Sequence, residues 1–270
     1  MDDTASHTIL ILDKALHVFP WESLPCLDGQ PVSRLPSLGC LRQRLLRQRQ
    51  NPNVDSPDRS YIDCNNGAYV LNPSGDLKAT QAAFERPLHN LTNWDSIVQR
   101  EPSEAEIKTA LESRDLFLYF GHGSGAQYIR ARTIKKLDRC AVSLLMGCSS
   151  GALTEAGEFE PYGTPINYMH AGCSALVATL WDVTDKDTDR FSYAVLDRWG
   201  LFNGFSSDLL TSPAKRGGKS RGKVKAKEAC TASREPVSLV EAVANGRSSC
   251  RLRYLNGAAP VVYGIPVYLS

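Results

Sequence analysis

Long apolar segments are missing from this sequence of 270 residues. No run approaches the ~18 consecutive apolar residues that a membrane-spanning helix needs, so we expect no membrane partner. The start of the chain also lacks the charged and then apolar pattern of a secretory leader. With 42% hydrophobic and 22% charged residues, the composition is that of a folded globular chain.

Paired cysteines are missing as well. The chain has eight cysteines, and none of them forms a C-x-x-C pair. The nearest approach to metal-ligand spacing is His170 with Cys173, which has no second pair elsewhere. We therefore expect no metal site, and we interpret most cysteines as small core residues of a reduced, intracellular protein.

The net charge of +2 is unevenly distributed. Between Pro213 and Arg234 the chain carries eight Lys or Arg and one acidic residue, which leaves 23 basic and 28 acidic residues elsewhere. The remaining body is acidic, so we expect no specific nucleic-acid binding by it. Few large apolar residues occur from about 205 to 236, and this predicts a disordered basic insertion. A solvated linker is one interpretation of this segment, and basic tracts of this kind also attract nucleic acid non-specifically.

Apolar runs alternate with helical patterns along most of the chain. Buried strands are predicted at 9–12, 69–71, 116–120, 141–146, 174–181 and 259–269. Pro266 interrupts the last of these and predicts an edge position. Capping signals predict helices that begin after Ser37, Ser103, Thr184 and Ser238, and at Thr164. This alternation predicts an α/β fold with a mainly parallel sheet covered on both faces.

The helix after Ser37 has an amphipathic pattern. Its leucines fall on one face, and they are Leu38, Leu41, Leu45 and Leu46. Its arginines fall on the other face, and they are Arg42, Arg44, Arg47 and Arg49. We expect the leucines to pack on the core and the arginines to face solvent.

Two of the predicted strands end in a reactive residue next to glycine. His122 follows the run at 116–120, and Cys148 follows the run at 141–146. Sites in parallel sheets form beyond the carboxyl ends of strands, so neighbouring strands would place the thiol beside the imidazole. The backbone amides of Gly123 and Cys148 are candidates for an oxyanion hole. Each residue alone also has a structural interpretation, as a core cysteine or a turn histidine.

Four aspartates lie between residues 182 and 189, after another predicted strand. Carboxylates near a helix N-terminus are stabilised by the helix dipole, which explains one or two of them. Asp185 and Asp189 share a helix face and should repel each other. A pocket for the Arg or Lys of a substrate is the second interpretation, and a carboxylate favours the planar guanidinium.

Several segments resemble the separase family, caspase-like cysteine proteases that cleave the kleisin subunit of cohesin at anaphase. They are FLYFGHGSG, LLMGCSSG, ALVATLWDVTDKDTDRF, ILDKALHVFPWESLP and YVLNPSGDLKATQAAFE. The resemblance covers nearly the whole chain apart from the basic insertion. It implies a caspase-like α/β/α sandwich, with residues 1–270 as one protease domain made of an N-terminal part, 1–100, and a catalytic part, 101–270. Separases are much larger, so we expect this chain to correspond to the C-terminal protease domain.

The same resemblance implies roles for the candidate residues. Cys148 is the expected nucleophile and His122 its partner, with no metal and no cofactor. Cleavage is expected after an Arg that has an acidic residue three positions before it. Asp189 is the first candidate for the Arg pocket and Asp187 the second, and the sequence does not separate either from Asp185.

The family also implies partners and a location. The cohesin kleisin subunit is the expected substrate, securin the expected pseudosubstrate inhibitor, and the cytoplasm and nucleus the expected compartments. A catalytically silent caspase-like interaction module that needs a missing N-terminal region is the alternative. A chromatin binder acting through the basic segment is a weaker third hypothesis, and a self-cleavage site also remains open for that segment.

Overall fold

The computed structural model describes residues 7–49, 59–202 and 236–270. The basic insertion predicted at about 205–236 therefore lies outside the described residues up to 235. The strands are β1 (Thr8–Leu10), β2 (Val32–Arg34), β3 (Ser60–Ile62), β4 (Gly67–Leu71), β5 (Asp95–Val98), β6 (Leu116–Phe120), β7 (Val142–Leu145), β8 (Thr154–Ala156), β9 (Phe159–Tyr162), β10 (Ala175–Thr179), β11 (Pro260–Gly264) and β12 (Val267–Leu269). The helices are α1 (Leu38–Arg49), α2 (Lys78–His89), α3 (Glu104–Ser113), α4 (Ala131–Lys135), α5 (Thr164–His170), α6 (Asp185–Trp199) and α7 (Leu239–Gly246).

Eight strands form one sheet in the order β1-β2-β11-β10-β7-β6-β4-β5. Neighbouring strands are parallel except at the β10–β11 boundary. This confirms the mainly parallel sheet. Strands from the predicted N-terminal part, β4 and β5, continue the sheet directly beside β6.

The predicted strand at 259–269 is divided in two. β11 lies inside the large sheet, whereas β12 pairs with β3 in a separate two-stranded sheet. The chain leaves β11 at Gly264, whose φ of +134° disfavours other residues. Because β11 lies between β2 and β10, the edge position predicted from Pro266 is wrong for β11.

Helices cover both faces of the sheet. Leu116, Leu118 and Phe120 of β6 pack in one apolar cluster with side chains of α2, α6 and α7. Phe117 and Tyr119 of the same strand pack in a second cluster with side chains of α3, α4 and α5. Alternate side chains of a strand point to opposite faces, so the molecule is an α/β/α sandwich, as predicted.

The predicted helix starts are confirmed. Ser37 Oγ accepts a hydrogen bond from the amide of Cys40, at 3.1 Å. Ser103 and Glu106 form the reciprocal capping box, in which each side chain accepts from the other residue's amide. Thr184 precedes α6 in extended conformation, but its hydroxyl accepts from the Asn256 side chain and does not cap the helix.

The predicted orientation of α1 holds for Leu41, which packs against the core, and is wrong for most of the other described side chains. Leu38 is 71% exposed, whereas Arg44 is only 3% exposed. The Arg44 guanidinium donates to the carbonyl oxygens of Met169, at 3.1 Å, and Cys173, at 2.7 Å. These carbonyls lie at and just beyond the end of α5, where backbone acceptors lack helical partners. A guanidinium with five donors can satisfy several of them at once, which explains its burial.

No helix in the described ranges combines the length and apolar character needed to cross a membrane. The cysteines in these ranges are all free thiols.

Candidate active site

Four adjacent parallel strands, β10, β7, β6 and β4, carry the candidate residues beyond their carboxyl ends. In that order the following segments contain Asp182, Cys148, His122 and Asp76. The strands before His122 and Cys148 are neighbours, which is the condition that the sequence argument set for placing the two residues together. Because these strand ends share one edge of the sheet, the four segments meet there.

Gly147 allows the segments after β6 and β7 to touch through their backbones. A Cβ atom at this position would collide with the carbonyl oxygen of Gly123 and would lie 2.5 Å from that of Gly121. The amide of Met146 donates to the carbonyl of Tyr119, at 2.9 Å, and extends the strand pairing to this point. Cys148 therefore begins its loop directly against the segment that carries His122.

The loop after Cys148 is fixed to the segment that follows β10. Ser149 has a φ of +51°, the left-handed region that few non-glycine residues adopt. Its amide donates to the Trp181 carbonyl, at 3.2 Å, and its hydroxyl donates to Asp182 Oδ1, at 2.6 Å. The half-buried Cys148 thiol donates to the Val183 carbonyl, at 3.3 Å. These contacts hold an unfavourable backbone conformation next to the thiol, as is common at functional sites.

His122 forms hydrogen bonds with three side chains, of which the Gln127 amide, at 3.4 Å from the His122 carbonyl, is the most distant. His122 Nε2 lies 2.7 Å from Asp76 Oδ2, and its carbonyl accepts from the Tyr119 hydroxyl, at 2.9 Å. The hydrogen bond with His122 lowers the pKa of Asp76 below its ordinary value. When Nε2–H donates to this carboxylate, Nδ1 is the nitrogen free to accept a proton. The arrangement therefore supplies a base whose orientation is set by a carboxylate.

Sequence reasoning missed Asp76. The segment 72–76 is a strong turn signal, and an aspartate in a turn has an ordinary structural explanation. The signal that could have found it is its position, because it follows a buried strand as His122 and Cys148 do.

The predicted oxyanion donors are the amides of Gly123 and Cys148. Among the described residues, neither amide donates to a backbone carbonyl. Gly123 has a φ of +60°, a conformation that glycine adopts easily. Their role in binding an oxyanion stays a prediction.

Asp189 and Asp185 have different environments at the start of α6. Asp189 is buried and accepts a hydrogen bond from Thr80 Oγ1, at 3.1 Å, whereas Asp185 is exposed. Burial raises the pKa of Asp189 to about 7, and the charge of Asp185 adds to the increase.

Asp187 has an internal role. It accepts hydrogen bonds from the amides of Arg251 and Leu252 and from the side chains of Arg190 and Asn256, at 2.6 to 3.0 Å. Burial acts to raise its pKa, but these hydrogen bonds outweigh it and lower the pKa to about 2. The carboxylate holds the segment 251–256 in place, so it is not available to a substrate guanidinium.

Within the described part of the chain, no three His, Cys, Asp or Glu side chains are grouped so that they could hold a metal ion.

The fold and the site together define a class of protein. A mainly parallel sheet between two helical layers, with a thiol and an imidazole beyond adjacent strands, is a caspase-like α/β/α sandwich.

Comparison with known proteins identifies the family within this class. The family model described as "Separin, protease domain" matches residues 1–188. A separin from Emericella nidulans is 56% identical over 261 residues, which cover 97% of this chain and 12% of the relative. A separin from Schizosaccharomyces pombe is 48% identical over 270 residues, which cover 99% of this chain and 13% of the relative. The chain belongs to the separin protease domain family, and it spans about an eighth of the length of these relatives.

A solved structure agrees with this assignment. The crystal structure of the Saccharomyces cerevisiae separase-securin complex matches with a TM-score of 0.79 and 33% identity, over 98% of this chain and 16% of that chain.

Proposed function

We propose that this chain is the protease domain of a cysteine endopeptidase, with Cys148 as the nucleophile and His122 as the base. The observation that supports this most is the backbone contact at Gly147, which brings the segments after β6 and β7 together. Membership of the separin protease domain family supports the same reaction class.

The proposed reaction uses the groups in the following order. His122 Nδ1 accepts the thiol proton, and the sulfur of Cys148 forms a bond to the carbonyl carbon of the scissile peptide. The amides of Gly123 and Cys148 stabilise the oxyanion that results. The C–N bond then breaks, and the leaving amine takes the proton from His122. Water, deprotonated by His122, then attacks the thioester carbon. The C–S bond breaks, the acid product leaves, and the Cys148 thiolate takes the proton from His122.

Asp189 is the residue that we assign to the pocket for the substrate Arg. Its carboxylate is buried with a neutral hydroxyl as its hydrogen-bond donor, so a guanidinium would supply the missing positive charge. Asp185 lies exposed one helical turn before it and adds negative potential. Asp187 is left out of the pocket because its oxygens are bound internally.

The biological assignment rests on the family. We assign the cohesin kleisin subunit as substrate, through an acidic-x-x-Arg sequence, and securin as the inhibitor. The solved relative is a separase-securin complex, which supports securin as a partner. The family also suggests the cytoplasm and nucleus as the site of action.

Cleavage of short peptides tests this proposal. A fluorogenic peptide with Arg before the cleaved bond and Glu three positions earlier is compared with a peptide that has Asp in place of Arg. We expect cleavage of the Arg peptide alone, and a loss in kcat/KM of at least about 10³-fold in Cys148→Ser and His122→Ala. Cys26→Ser is the matched control, because Cys26 is an exposed free thiol in a different part of the chain.

Two results would contradict the proposal. Cleavage by Cys148→Ser at the normal rate would exclude this thiol as the nucleophile. Binding of the Arg peptide by the folded wild-type chain without any product would favour the silent interaction module.

A further inference from the structure

Arg247 is a buried cation without a carboxylate partner. It follows α7, is only 5% exposed, and packs against the segment that contains Ser23. Its Nη1 donates to Ser23 Oγ, at 3.2 Å, and its Nε has no hydrogen-bond partner. No carboxylate of the described residues forms an ion pair with it. The pKa of this guanidinium is lowered, and burial is the largest cause, as expected for a buried charge without an ion-pair partner.

The acidic residues near Arg247 are bound to other arginines. Glu22 is buried and pairs with Arg34 through both oxygens, at 2.6 and 2.7 Å. Asp28 pairs with Arg253, at 2.5 Å. The cluster therefore contains three guanidiniums and two carboxylates, and Arg247 is the guanidinium that forms no ion pair.

A cavity of about 120 Å³ opens beside this cluster. Arg247 and Arg253 both line it, together with Ser23, Asp28 and Tyr254. Because Arg253 neutralises Asp28, the formal charge of these groups is that of one surplus guanidinium. A second guanidinium and a hydroxyl at one small cavity are the donors that a carboxylate or phosphate group requires.

We infer that this cavity binds a small oxyanion, with Arg247 as its buried ligand and Arg253 as its ligand at the rim. A free phosphate ion and the carboxylate of an acidic side chain share this chemistry. The occupied cavity would connect the segment around Ser23 with the segment 251–257. The latter also supplies the amides of Arg251 and Leu252 that hold Asp187. The inference does not depend on peptidase activity.

Titration of the 270-residue chain with inorganic phosphate tests this inference, with acetate as a parallel probe. Ionic strength is held constant with chloride, and binding is followed by calorimetry and by thermal unfolding. We expect saturable binding of at least one anion and a higher unfolding temperature. The tighter of the two anions shows whether phosphate or carboxylate chemistry is preferred. Arg247→Gln should weaken the apparent affinity at least tenfold.

A second variant keeps the test valid if Arg247→Gln fails to fold. Arg253→Gln changes a 54% exposed side chain, and we expect it to weaken binding several-fold. Arg139→Gln is the matched control, because Arg139 is 53% exposed and also pairs with an aspartate, Asp115. The inference is overturned if neither anion binds saturably. Equal binding by the wild type, Arg253→Gln and Arg139→Gln would also overturn it, because it would show a nonspecific ion effect.

Discussion

At the scale of single residues, the hydrogen bond between His122 Nε2 and Asp76 Oδ2 is the contact that prepares the imidazole for its role. Both side chains are about half exposed, so solvent screens the attraction between their charges. The value of the contact is therefore chiefly in orientation. A carboxylate on Nε2 selects the tautomer whose Nδ1 can take a proton.

Replacing Asp76 by Asn should reduce kcat while leaving KM nearly unchanged. The amide keeps the size of the side chain but no longer selects one tautomer of His122, so we expect a loss of about 10-fold or more. Steady-state kinetics on the Arg peptide measures both constants. Asp95→Asn is the matched control. The side chains of Asp95 and Asp76 are 60% and 58% exposed, and Asp95 also forms an ion pair, with Arg114. Equal kinetics of wild type and Asp76→Asn would remove Asp76 from the site.

Asp189 should make arginine binding depend on pH. Its pKa is raised to about 7, so the neutral carboxyl group predominates below that pH and the carboxylate above it. Only the carboxylate attracts a guanidinium, and its fraction rises about tenfold between pH 6 and pH 8. The affinity for acetyl-arginine amide, which involves no bond cleavage, should rise by a similar factor. Calorimetry at the two pH values measures it.

Asp189 should also make the free energy of unfolding depend on pH. The folded-state pKa of Asp189 lies above the ordinary value of 3.8, so ionisation opposes folding. The unfolding free energy of the wild type should therefore fall relative to Asp189→Asn as the pH rises from about 4 to 7, and the difference should be constant above 7. A difference that does not vary with pH would show that the carboxyl group is not perturbed.

At the level of elements, the site depends on close approach of the two glycine-containing loops after β6 and β7. Gly147→Ala should be strongly destabilising, by roughly 3 kcal/mol or more, because the new methyl group meets backbone carbonyls that cannot rotate away. Denaturant unfolding measures the change. Gly157→Ala is the control, because its φ is +62° but its Cβ would meet nothing within 4 Å. That variant should lose only about 1 kcal/mol. Similar losses in both variants would contradict the close approach.

Elements that depend on local signals could be predicted from the sequence. The apolar run at 116–120 coincides with β6, and the capping box at Ser103 begins α3 as expected. α2 was missed, because Leu77 offers no side-chain cap and Pro87 lies inside the helix.

Side-chain roles that depend on distant partners could not be predicted. Arg44 is buried by carbonyl groups more than 120 positions away, and Asp187 is bound by donors more than 60 positions away. No local pattern in α1 or α6 indicates these partners. For the same reason the sequence could not separate Asp189 from Asp187, although their surroundings differ clearly in the fold.

For the whole molecule, the sequence predicted the layers but not the reversal in the sheet. At the antiparallel boundary, β11, the last strand of the large sheet in chain order, returns between β2 and β10. Periodicity along the chain does not indicate this direction, although α7, which precedes β11, packs against α6. The candidate site lies on the parallel side of this boundary, where the strand ends agree in direction.

Labelling of the folded chain by an irreversible peptide tests the central claim most directly. The peptide carries an electrophile after Arg, with Glu three residues earlier, and a matched peptide has Asp in place of Arg. Intact mass and proteolytic mapping locate the adduct, and circular dichroism confirms the fold. The account predicts one adduct, on Cys148, from the Arg peptide alone. Equal labelling by both peptides, labelling of another cysteine, or no labelling of the folded chain would contradict it.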